Sequence, residues 1–167
     1  MALKQLYRHF EPNPGDFTDE FHTPTDCFIR ACVALFNISW DCAFYIAVKM
    51  AIKNHCMPND LENIIEVMSI FDCEYISASD DKNYESGMTV YTFTKNHPKG
   101  KYLLLADDHA ISCIDGQFID AWNSRWKHIE DVFKCPDEAT IKKVKKQFNS
   151  WSFKRKLKDF VKNSIIS

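Results

Sequence analysis

Glycine is scarce in this chain. Only Gly15, Gly87, Gly100 and Gly116 are present, where average usage of ~7% would give about twelve. No two lie within ten residues of each other. Phosphate-cradling glycine loops, of the dinucleotide or the Walker kind, are therefore excluded. Long apolar runs are also missing, because Asp41, Lys49 and Lys53 interrupt the most apolar stretch well short of the ~18 residues a membrane span needs. The opening residues Met1–Arg8 lack the apolar core of a signal peptide. No C-x-x-C knuckle occurs among the seven cysteines at 27, 32, 42, 56, 73, 113 and 135. Their odd number and wide spread argue against a disulfide scaffold and against a zinc site. The expectation is a soluble cytoplasmic protein that needs no metal or organic cofactor.

What is present is ordinary globular composition, 46% hydrophobic and 26% charged over 167 residues. That is one domain's worth of chain, or a domain with an appendage. The formal charge of -2 conceals two opposite parts. Residues 1–133 hold eleven basic against twenty acidic residues, and residues 134–167 hold ten against three. Ile141, Val144, Phe148 and Trp151 recur in the basic part at helical spacing, with the lysines between them. An amphipathic helix packed on the acidic body accounts for both features, and a nucleic-acid arm is the weaker reading.

The order of elements reads as α+β. Residues 1–25, with Pro12, Pro14, Gly15 and Pro24, suggest an irregular arm. Thr25 or Asp26 can cap a helix from Cys27 to Phe36, Asn37 breaks it, and Ser39 caps a second through about Lys53. Pro58-Asn59-Asp60 opens a third, to about Phe71, and residues 77–87 form a polar loop. Thr89–Thr94 and Lys101–Ala106 then read as strands joined through Lys95–Gly100. Ala110–Ile114 and Gln117–Trp122 flank Asp115-Gly116, a strong signal for a tight hairpin. Pro136 and the acids after it open the tail helix.

Two local features converge on thiol chemistry. Cys27 falls in the first turn of its helix, where unpaired N–H groups and the helix dipole favour a thiolate. A two-residue turn at Asp115-Gly116 puts His109, Ile111, Asp120 and Trp122 on one face of the hairpin. Asp120 then lies diagonal to His109, within reach of an imidazole N–H. Nucleophile, base and orienting carboxylate would be Cys27, His109 and Asp120.

These residues resemble a family. Thr25-Asp26-Cys27-Phe28-Ile29-Arg30-Ala31, with Ser39 opening the next helix, is similar to the nucleophile helix of small papain-like cysteine peptidases of phage and bacterial genomes. His109-Ala110, Asp115-Gly116 and Asp120-Ala121-Trp122-Asn123-Ser124 resemble that family's second block. The resemblance implies a papain-like fold, with N-terminal helices packed on an antiparallel sheet. Residues 1–135, arm included, are read as that domain, and charge and apolar spacing make 136–167 a basic helical tail packed on it. It also implies Cys27 as nucleophile, His109 as base and Asp120 as orienter. Asp108 stands where the pattern has glycine, beside the base, and is expected to raise the histidine's pKa. Asn123 is an alternative third member, since papain orients its histidine with an Asn followed by Ser and Trp. The oxyanion hole stays open between the Cys27 backbone N–H, His22 and Thr25.

Two functions are thus expected, from different classes. One is a thiol hydrolase or acyltransferase acting on a peptide, isopeptide or related amide bond in a protein or peptide substrate. The other is a non-catalytic protein of the same fold that binds and inhibits a host protein. Either would belong to a phage-type protein acting in the host cytoplasm, away from the membrane.

Overall fold

The computed structural model describes residues 6–12, 26–77 and 81–148 of the chain. Within them lie five helices and a six-stranded sheet, an α+β arrangement. In order these are β1 (Tyr7–His9), α1 (Cys27–Phe36), α2 (Trp40–Asn54), α3 (Leu61–Ile70), β2 (Glu74–Ile76) and α4 (Val90–Asn96). There follow β3 (Lys101–Ala106), β4 (His109–Ile114), β5 (Gln117–Asp120), β6 (Ile129–Lys134) and α5 (Glu138–Phe148). No helix among the described residues is long and apolar enough to cross a membrane.

The helix boundaries follow from side-chain chemistry. Asn37 ends α1 in the left-handed region at φ 49°, which asparagine tolerates better than most residues. Ser39 caps α2, its hydroxyl accepting from the Cys42 N–H at 3.2 Å. Phe36 of α1 stacks on Phe71 just past α3, ring centroids 3.8 Å apart. Such aromatic pairs are worth about 0.5–1.5 kcal/mol beyond area burial.

The strand order is β1-β5-β4-β3-β6-β2. All pairings are antiparallel except β1 with β5, so the sheet is mixed rather than purely antiparallel as expected. The parallel strand comes from the segment that reads as an irregular arm. Its Leu6 carbonyl accepts from the Phe118 N–H at 2.8 Å, and Tyr7 packs its ring on Phe118. These contacts cover the edge of β5, which would otherwise leave backbone groups unpaired. Residues 1–5 and 13–25 lie outside the described residues.

Both faces of the sheet are covered, so β3 is a continuous apolar run rather than an alternating one. Leu103 and Leu105 meet the core built by α1, α2 and α3, joined by Ile141 and Val144 of α5. Tyr102, Leu104 and Ala106 face the second core under α4, with Val90, Phe93 and Tyr84. In α5 Lys142, Lys143 and Lys146 are exposed, and the Lys145 Nζ donates to the Asn37 carbonyl at 2.7 Å. The side chain of Phe148, and Trp151 with the rest of the tail, lie outside the described residues.

Residues 90–96 form a helix, where Thr89–Thr94 was expected to be a strand. The β-branched composition suits extended chain, but Thr89 caps the turn by accepting from the Thr92 N–H. Thr94 Oγ1 donates back to the Val90 carbonyl at 2.7 Å, and Val90 and Phe93 share the buried face. Tertiary burial at i and i+3 overrides local propensity here. The strand that pairs with β3 on that side is β6, a segment without a clear strand signal in its sequence.

Two tight turns set the hairpins that carry the site. Asp115 (φ 49°) and Gly116 (φ 71°) form the expected one, with Ile114 opposite Gln117 and Cys113 opposite Phe118. A Cβ on Gly116 would come within 2.9 Å of the Pro98 Cα, so the position requires glycine for space as well as for dihedral. Asp107 (φ 47°) and Asp108 (φ 59°) form the second turn, between β3 and β4, with Ala106 opposite His109. Aspartate is among the few residues besides glycine that accept the positive φ found at Asp108.

Candidate active site

The N-terminus of α1 meets the first residue of β4. Asp26 stands at the helix cap but makes no side-chain capping bond. Its carboxylate instead accepts from Arg30 Nη1 and from Trp40 Nε1, each at 2.8 Å. Arg30 is 4% exposed and reaches Glu11 as well, at 3.3 Å. One turn of α1 and the start of α2 are thereby clamped together, which fixes where Cys27 stands. Asp26, Arg30 and Trp40 thus share one structural task.

Cys27 is half-buried. Burial pushes its thiol pKa up. Hydrogen bonds from the His109 ring and the Ala110 backbone, with the charges of His109 and Arg30, outweigh burial and bring it below the ordinary value. Other cysteines move the opposite way. Cys32 and Cys42 are pushed up chiefly by burial. Cys73 is pushed far up by its hydrogen bond with Cys135 and by burial.

His109 is buried at the end of the Asp107-Asp108 turn, and its Nε2 lies 2.8 Å from Asp120 Oδ2. With Nε2 committed to the carboxylate, Nδ1 is the ring nitrogen left for the thiol. Burial works against the imidazolium, yet the hydrogen bond to Asp120, then that to Cys27, raise the histidine to about 9. Asp108 is not among the groups responsible, so the rise expected from it comes from Asp120 and Cys27 instead. Trp122 stacks on the imidazole at 4.4 Å and 22°, and the Arg30 guanidinium lies 5.3 Å from the indole centroid.

Asp120 is buried and fully engaged. Beyond His109, Oδ2 accepts from the Ser124 hydroxyl at 2.7 Å and Oδ1 from the Ala121 N–H at 2.7 Å. Charge-assisted bonds of this kind hold a carboxylate in one orientation. The structure therefore brings Cys27, His109 and Asp120 together. It leaves Asn123 apart, exposed and accepting from Arg125 Nε at 3.0 Å.

His22 and Thr25, the side-chain candidates for the oxyanion hole, lie outside the described residues. That leaves the Cys27 N–H, at the helix N-terminus, as the donor that can be placed. Ser124, and Trp122 on the hairpin face expected for it, support the histidine–aspartate pair, a role the sequence reading did not assign them. Their signal is the pattern Asp120-Ala121-Trp122-Asn123-Ser124, whose first, third and fifth residues all turn to the histidine or its carboxylate.

Beside the thiol opens a cleft of about 490 Å³, lined by Cys27, His109 and Ala110 and walled by α3, β3 and β6. Among the described residues no group of three or more His, Cys, Asp and Glu is placed to hold a metal ion. No known protein family, curated protein or solved structure matches the chain.

Proposed function

We propose that the chain is a papain-like thiol hydrolase that cleaves a peptide, isopeptide or related amide bond. One observation carries this reading: Cys27 and His109 line one cleft and shift each other's pKa, the thiol down and the imidazole up, with the imidazole held 2.8 Å from Asp120. Those opposite shifts favour a thiolate beside an imidazolium, the reactive form of a cysteine nucleophile.

In the reaction the Cys27 sulfur attacks the carbonyl carbon, and the Cys27 N–H stabilises the oxyanion. His109 passes its proton to the leaving amine as the C–N bond breaks, leaving a thioester on Cys27. Water, deprotonated by His109, then releases the acid. An amine acceptor in place of water would complete acyl transfer. Asp120 holds the imidazole in one orientation throughout.

The rival reading, a binding protein that keeps the fold without the chemistry, needs Cys27 out of reach of His109, and their shared place in the cleft, with pKa values shifted by each other, counts against it. The test is incubation with a mixed peptide library followed by mass spectrometry. Cleavage or acyl transfer by the wild-type chain, lost in Cys27→Ala and in His109→Ala, supports the hydrolase. A library left intact by a folded wild-type protein favours the binder.

A further inference from the structure

The cleft beside Cys27 has a definite chemical character. Its apolar wall is Leu61 and Ile64 of α3 with Leu105 of β3, and Leu61 is 47% exposed although large and aliphatic. Its polar rim carries Asp60, Asp108, Glu130 and Asp131, and among the described residues no lysine or arginine lines it. The hydrogen bonds made by two of these carboxylates come from neutral donors: the Met57 N–H to Asp60 and the Tyr75 hydroxyl to Asp131. Among the described residues none of the four is in a salt bridge.

The backbone contributes to this arrangement. Leu105 pairs with Asp131 but Ala106 with Ile129, so Glu130 is an extra residue in β6 at that point. In a regular strand adjacent residues point to opposite faces. At this bulge Glu130 and Asp131 both line the cleft, which is how a bulge redirects side chains. The other flank of the histidine is different in kind, formed by Trp122, Trp126 and Lys127 with Asp107. The cleft acids thus gather on the side on which the thiol opens.

We infer that this cleft receives a lysine or arginine side chain of the substrate, close to the bond that Cys27 attacks. The inference rests on the hydrolase reading and adds its substrate class. A basic side chain is an apolar stem with a charged head, and the cleft offers an aliphatic wall leading to a carboxylate rim. A neutral aliphatic side chain would use only the wall, and an acidic one would be repelled by the rim.

The test separates binding from chemistry. Full-length Cys27→Ala protein is titrated with three fluorescent peptides identical except for one residue: lysine, norleucine or glutamate. Norleucine keeps much of the stem and removes the charge. The lysine peptide should bind roughly tenfold more tightly than the norleucine peptide, as expected for several partly screened charge pairs, and the glutamate peptide most weakly. Replacing Asp108→Asn, Glu130→Gln and Asp131→Asn together, with Asp60 kept, should cut the lysine preference several-fold while leaving norleucine binding unchanged. Equal binding of lysine and norleucine peptides would overturn the inference, as would a preference undiminished by the triple replacement. Iodoacetamide labelling of wild-type Cys27 reports on the hydrolase reading separately. Rapid labelling with no charge preference would sink the substrate class alone, and an unreactive Cys27 would sink the hydrolase reading with it.

Discussion

Cys27 and Cys73 are both half-buried, one opening α1 and the other following α3. Their pKa values move in opposite directions. Burial raises both, so burial does not explain the contrast. Cys27 meets an imidazole held by a carboxylate, together with a backbone N–H and the field of Arg30. Cys73 meets a second thiol, Cys135, at the position that continues the β2–β6 register. A cysteine becomes a nucleophile through what stands beside it, and exposure alone is a poor guide.

The largest expected effect breaks the contrast at its source. Cys27→Ser should lower turnover by at least about a thousandfold, as loss of a nucleophile does elsewhere, with the fold retained by circular dichroism. Asp120→Asn should lower turnover by about a hundredfold or more, and it should also change the pH profile. Removing the carboxylate removes the charge that keeps His109 protonated, so its pKa falls and the alkaline limb moves below about 9. An unmoved limb would show that Asp120 does not act on the histidine.

Smaller effects sharpen the comparison. Ser124→Ala removes one hydrogen bond to Asp120, worth about 1 kcal/mol, or about a fivefold loss in kcat/KM. Cys73→Ala should leave labelling of Cys27 unchanged and cost only about 1 kcal/mol of stability in a denaturant titration. A large loss of Cys27 labelling on that change would mean the two thiols are coupled through the core.

The parts of the site that local chemistry determines are legible in the sequence. Cys27 at a helix start follows from the cap signal at Thr25-Asp26 and the apolar run that Asn37 ends. The pairing of His109 with Asp120 follows from one two-residue turn, because Asp115-Gly116 fixes which residues share a face. The Asp107-Asp108 turn is not legible, since two aspartates at positive φ give a weaker signal than an Asn-Gly or Asp-Gly pair. The helix at Val90–Asn96 reads as a strand because its β-branched residues suit one, and only contact with the sheet favours the helix. The cleft is hidden for a related reason: Asp60, Asp108 and Glu130 lie on three separate segments, and only tertiary folding gathers them at the thiol.

The most direct test of this account is the pH dependence of iodoacetamide alkylation, followed residue by residue by peptide mapping of the native protein. As pH falls through the lowered Cys27 pKa the thiolate is protonated and reactivity is lost, and above about 9 the imidazolium partner is lost. Cys27 should therefore be the first cysteine labelled at neutral pH, with its rate rising at a pH below that of an ordinary thiol. The low-pH rise should shift upward in His109→Ala. Preferential labelling of Cys42, Cys56 or Cys73, or a Cys27 profile like that of a free thiol and unchanged by His109→Ala, would contradict the central claim.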